Sequence, residues 1–192
     1  MPSNSLQHWN TRRITELDEI ANAHRQVGGG GRGRRYATQR INHAYTMLLS
    51  SQFQGFCRDL HSEGVDHIVR SVTPLQLRAV LRAEFTLHRK LDRGNPNPGN
   101  IGSDFNRLGL TFMDRIRAES RWNPGRIGLL EDLNSWRNAI AHQDFDPAFL
   151  GGTINLRLAA VISWRRACEQ LAIVFDSVIG DHIAQITKTR PW

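Results

Sequence analysis

The chain has 192 residues, a length that suits one domain, or one domain with an appendage, and that can bury a core without disulfides or a structural metal. Its two cysteines, Cys57 and Cys168, lie far apart without metal-ligand spacing and sit among apolar residues, so both are expected as buried thiols in a reducing compartment. The formal net charge is +7, and only Lys90 and Lys188 are lysines among 25 basic residues. A basic, arginine-rich surface suits polyanions such as nucleic acid, although a GC-rich genome produces the same bias. No apolar run reaches membrane-span length, and the start MPSNSLQHWNTRR lacks a signal-peptide core, so the protein is read as cytoplasmic, with no membrane partner.

Helical periodicity dominates the chain and strand signals are weak. A first amphipathic segment covers about Ser5 to Val27, with Leu6, Ile14, Leu17, Ile20 and Ala21 among its apolar positions. It runs into a Gly/Arg-rich tract, Gly28 to Arg35, that four successive glycines exclude from a helix. The tract reads as a flexible linker or loop, or as a basic arm that touches RNA. A P-loop is disfavoured, because no Gly-Lys-Ser/Thr follows and no strand precedes. Residues 1–35 are therefore expected as an N-terminal helix with linker, and residues 36–192 as a helical bundle.

From Tyr36 to about Val72, the residues Ile41, Tyr45, Leu48, Leu49, Phe53, Phe56 and Leu60 form the stripe of a core helix, which Ser62-Glu63-Gly64 is expected to kink or end. Thr73 offers an N-cap and Pro74 a first helical position for a helix reaching about Asp92. Residues 93–100 form a loop by composition. A helix is then expected from a Ser103-Asp104 cap to about Arg121, and Asn123-Pro124-Gly125 breaks it. The next helix spans about Arg126 to His142. A final long helix, capped by Thr153 or Asn155, ends near Thr187. The expected fold class is all-α, a bundle of about six helices.

The helix before residue 143 carries the candidate chemistry. At about 100° per residue, Leu129, Leu133, Trp136 and Ile140 define its core sector, and Arg137 lies about 70° from the centre of that sector. Asn138 and His142, four residues apart, fall on nearly the opposite face. They need water, a ligand or a second subunit. A histidine that titrates near neutral pH can give or take a proton, and an arginine can hold a phosphate through two hydrogen bonds. An asparagine can orient either the histidine or the substrate. RNA brings its own nucleophile, the 2′-hydroxyl, so such a site can cleave RNA without a metal and leave a cyclic phosphate. The spacing alone is cheap in so arginine-rich a chain, and Arg82 with His88 forms a similar pair without supporting context. Arg137 has that context: Asn138 follows it, an apolar helix leads in, and a loop comes directly after His142.

Arg137-Asn138-Ala139-Ile140-Ala141-His142 resembles the Arg-(polar)-x3-His motif of the HEPN superfamily of small helical-bundle proteins. His43-Ala44-Tyr45, Met47-Leu48-Leu49 and Phe53-x2-Phe56 are similar to the long upstream helix of that family. The resemblance covers about residues 36–187. It implies a HEPN-like bundle and a metal-independent endoribonuclease without cofactor, of the kind found in toxin–antitoxin and defence systems. It also implies a homodimer with a shared active-site cleft and a possible cognate antitoxin. On that pattern Arg137 and His142 are catalytic and Asn138 is the supporting polar residue. Some members carry, two positions after the histidine, a tyrosine that a partner enzyme modifies; Asp144 stands there in this chain. Others have lost catalysis, so the alternative is a HEPN-like RNA-binding or protein-interaction module. A transcriptional regulator is disfavoured, since no helix-turn-helix stands out. Arg121 and Arg126, with Arg115 and Arg117, precede the motif helix; they are expected either to guide RNA or to form a solvated face. His43 and His67 are expected to be structural, and Gln143 and Asp144 to begin a loop.

Overall fold

A computed structural model describes residues 1–28 and 35–192. The glycines and arginines of the expected linker at positions 29–34 lie outside the described residues. Those described form an all-helical structure, and no helix among them is long and apolar enough to cross a membrane.

The chain begins with α1 (Asn4–His8), a π turn (Trp9–Arg13) and α2 (Ile14–Gly28). Ser3 caps the start, its side chain accepting from Leu6 N–H at 3.0 Å. The Glu63 carboxylate accepts from the Asn4 and Ser5 amides, both at 2.9 Å, placing negative charge at the positive end of the helix. The π turn is filled by Trp9, which is fully buried against Phe53 and Phe56. The next helix, α3 (Arg35–Arg70), is the spine: Tyr45, Leu49, Phe53, Phe56, Cys57 and Leu60 are all fully buried along it. The N-terminal helix therefore shares the core of the rest of the chain.

No break occurs at Ser62-Glu63-Gly64; α3 continues past it. Gly64 instead lets α8 (Leu158–Thr187) approach, since a Cβ there would stand 3.3 Å from both Ile179 and Ile183. A chain of rings, Phe53, Phe175, Phe112 and Phe105, joins these long helices to the shorter ones. Both cysteines are free and buried, as their apolar surroundings in the sequence indicate.

Several boundaries differ from the sequence expectation. Thr73 and Pro74 meet through a cis peptide bond in a turn, and α4 runs only over Leu77–Thr86, with none of its residues buried. Residues 98–100, expected in a loop, begin α5 (Pro98–Asn106), whose cap is Asn97 accepting from Asn100 N–H at 2.8 Å. Ser103 and Asp104 lie inside that helix. Asp104 is buried and accepts from the Lys90 and Leu91 amides at 2.8 Å, so it caps the short 3-10 turn Lys90–Asp92 instead. Gly109, at φ 89°, then separates α5 from α6 (Phe112–Glu119), where one helix was expected. Asn123-Pro124-Gly125 forms the first turn of α7 (Asn123–His142), with proline where its missing N–H costs nothing. Neither Thr153 nor Asn155 caps α8; Thr153 accepts from Asn155 N–H within the preceding loop.

His61, fully buried on α3, uses Nε2–H to donate to the Asp104 carbonyl at 3.1 Å. Burial, aided by the Arg89 charge, pushes its pKa down to about 4. The unfolded chain takes up this proton near pH 6.5 and the folded one does not, so the contribution is intact above pH 6.5 and is lost as pH falls toward 4. About 3 kcal/mol of unfolding free energy is expected to disappear across that window. Urea midpoints measured at steps of pH would show it, and a His61→Gln variant with an unchanged slope would remove His61 as the cause.

Candidate functional site

The last two turns of α7 present the site. The helix stops at Gln143, whose backbone turns left-handed at φ 56° and whose N–H donates to the Ala139 carbonyl. Asp144 N–H reaches the same carbonyl at 3.0 Å, and the Gln143 side chain donates to the Ile140 carbonyl at 2.7 Å. Leu133, Trp136 and Ile140 are buried, as the helical wheel places them, whereas Leu129 is half-buried. Ile127, Leu130 and Asn134 extend the buried arc beyond the expected sector.

Asn138 and His142 are exposed and line one open cleft of about 300 Å³. Ser135 lies on the same stripe, three residues before Asn138, and the returning loop supplies Asp144, Asp146 and Phe149. Asp146 is tied by accepting from Ala148 N–H at 2.9 Å, which starts the 3-10 turn Pro147–Phe149. The His142 imidazole makes no hydrogen bond or ion pair with any described residue.

Arg137 does not line this cleft. It stands five positions before His142, which sets the two side chains about 140° apart on the helix. It is half-buried and donates to Asn138 Oδ1 at 3.3 Å. Asn95, from the loop before α5, donates to the same oxygen at 3.0 Å. Its oxygen is thus occupied twice, while its Nδ2 hydrogens have no acceptor among the described residues. The three motif residues thus form a row: Arg137, then Asn138 as the link, then His142 in the cleft.

The two arginines expected to guide RNA sit elsewhere. Arg121 lies with its guanidinium 4.7 Å from the Trp122 ring centre, before the start of α7. Arg126 is held by Asn123 at 2.8 Å and by Gln170 at 3.4 Å. At 1.5 Å per residue, Arg126 is about 24 Å along the axis from His142. Nucleic acid would have to run most of the length of α7 to touch both. The sequence reading missed Ser135 and Asn95. Ser135 was legible as the next polar position up the Asn138–His142 stripe, whereas nothing in the sequence links Asn95 to Asn138.

Asp144 and Asp146 bring negative charge to the edge of the cleft, which disfavours an anion there, and Arg137 is not among its lining residues. Among the described residues no three His, Cys, Asp or Glu side chains converge in an arrangement that could hold a metal ion. Compared with known protein families, curated proteins and solved structures, the chain matches none.

Proposed function

We propose that this chain is a metal-independent endoribonuclease of the HEPN type that acts as a toxin or defence effector. The observation that carries the reading is the exposed imidazole of His142, without a hydrogen-bond partner among the described residues, beside an Asn138 amide whose oxygen is fixed by Arg137 and Asn95. In the proposed reaction the 2′-oxygen of the substrate attacks the adjacent phosphorus as its proton leaves to a base. The bond to the 5′-oxygen breaks, and that oxygen receives a proton. His142 is the proton carrier, and Arg137 with the Asn138 amide holds the phosphate oxygens as charge builds on them. The nucleophile is part of the RNA, so the chemistry calls for no cofactor.

Because Arg137 and His142 point apart in one chain, the complete site is proposed to form in a homodimer, where the cleft of one copy meets the Arg137 of the other. A toxin of this kind also implies a cognate antitoxin that covers the cleft.

The test is cleavage of single-stranded RNA in EDTA. The expected products end in 2′,3′-cyclic phosphates, and an all-deoxy substrate should survive. Cleavage that requires added divalent metal, or that proceeds equally on DNA, would overturn the reading. The second reading is a non-catalytic HEPN-like module that binds RNA or protein, and the position of Arg137 outside the cleft favours it. It predicts salt-sensitive RNA binding with no cleavage.

A further inference from the structure

A second groove, of about 280 Å³, lies beyond Gln143, where the first turns of α3 face the returning loop. One row of α3 supplies Tyr36, Arg40 and His43, which follow one another at helical spacing. The loop supplies Gln143, Phe145 and Ile154.

Three features of this groove point to a ligand. Phe145 and His43 are stacked, with ring centres 5.5 Å apart and planes within 20°. Tyr36, in the same row, is 87% exposed and covers nothing in the core. Arg40 is exposed and has neither a hydrogen bond nor an ion pair with the described residues.

We infer that this groove is a nucleobase subsite, in which Tyr36 and the His43–Phe145 pair stack a base and Arg40 meets its phosphate. The inference rests on the proposed action on RNA and names where a nucleotide flanking the cleft is held. Aromatic faces beside a guanidinium are a recurring means of binding single-stranded nucleic acid. The groove also states a preference. Gln39 turns its amide nitrogen to the Ile154 carbonyl at 3.2 Å, and Gln143 turns its own to the Ile140 carbonyl. The amide oxygens of both have no hydrogen-bond partner among the described residues, and an amide oxygen accepts from N–H donors. Adenine, cytosine and guanine carry an exocyclic amine, whereas uracil offers only N3–H, flanked by two carbonyls that would face those amide oxygens, so the subsite favours amino-bearing bases.

The test uses fluorescently labelled 2′-O-methyl octamers of adenosine, cytidine and uridine, which cannot be cut by 2′-oxygen attack. Fluorescence anisotropy reads their binding. Wild type should bind the adenosine and cytidine octamers more tightly than the uridine octamer. Tyr36→Ala should weaken adenosine binding about 5- to 150-fold, the range for losing one stacked base. Tyr36→Phe should retain it. Tyr36 is exposed, so neither change threatens the fold. Equal binding by wild type and Tyr36→Ala overturns the subsite, as does loss of binding in Tyr36→Phe or equal affinity for all three octamers. Those results are independent of cleavage: binding as expected, with no cleavage of ordinary RNA, would sustain the subsite and sink the nuclease reading. Cleavage with Tyr36-independent binding would do the reverse; a peptide's aromatic side chain would then be the better occupant.

Discussion

Replacing His142 with alanine is expected to reduce RNA cleavage by about 10²- to 10⁴-fold, the usual worth of a positioned acid–base group. The folded state should barely notice. His142 is exposed, makes no hydrogen bond with the described residues, and lies outside the buried face of α7. Exposed positions of this kind change stability by about 0.5 kcal/mol or less. The informative result is the pair of measurements together: activity gone and the urea midpoint unchanged. Arg137→Lys completes the set, because lysine keeps the charge but loses the planar fork that grips two phosphate oxygens. If Arg137 holds the phosphate, the lysine variant should fall well below wild type while retaining RNA affinity. Full cleavage by His142→Ala would remove the histidine from the reaction.

The second large effect is structural. Trp9→Ala is expected to destabilise the protein by about 3–5 kcal/mol, as for other large aromatic truncations in a core. Trp9 is fully buried, and its ring packs 5.7 Å from Phe53 and 5.6 Å from Phe56, centre to centre. Against the roughly 5–15 kcal/mol that holds a typical domain together, that loss is severe. The measurement is the urea midpoint, with the slope checked for a change in the unfolding transition. A loss under about 1 kcal/mol would show that α1 and the π turn are dispensable to the core. A large loss would show that residues 1–28 cannot be trimmed away.

How far the sequence reaches is best seen residue by residue. The three long helices were legible because each carries an uninterrupted apolar stripe; α3 from Tyr45 to Leu60 is the clearest. The wheel of α7 is legible for the same reason, and it alone separates Asn138 and His142 from the core. The short elements were not legible, because their ends depend on competing caps. Asp104 looks like a helix cap in sequence, but its carboxylate serves a turn that ended twelve residues earlier. Gly64 looks like a helix breaker, and only the approach of Ile179 and Ile183 shows what its missing side chain does. The 140° between Arg137 and His142 could have been computed from the sequence. That Asn95 donates to the same Asn138 oxygen as Arg137 could not, because Asn95 lies 43 positions away in sequence. His43 was read as structural. Its burial agrees, but its stacking on Phe145 and orphaned Nε2 appear only when the loop after α7 is folded back.

The contact between Asn95 and Asn138 has an entropic meaning. Gln54 donates to the carbonyls of Leu91 and Gly94, and the Asn100 side chain donates to that of Asn95, so the loop bearing Asn95 is itself fastened to α3 and α5. An exposed asparagine ordinarily samples several rotamers, and a ligand must freeze one of them each time it binds, at about 0.5–1.5 kcal/mol per side chain. In this protein that freedom is surrendered once, when the chain folds. Asn95→Ala should therefore leave Asn138 chemically intact yet conformationally loose, and every encounter with a ligand would again have to immobilise it.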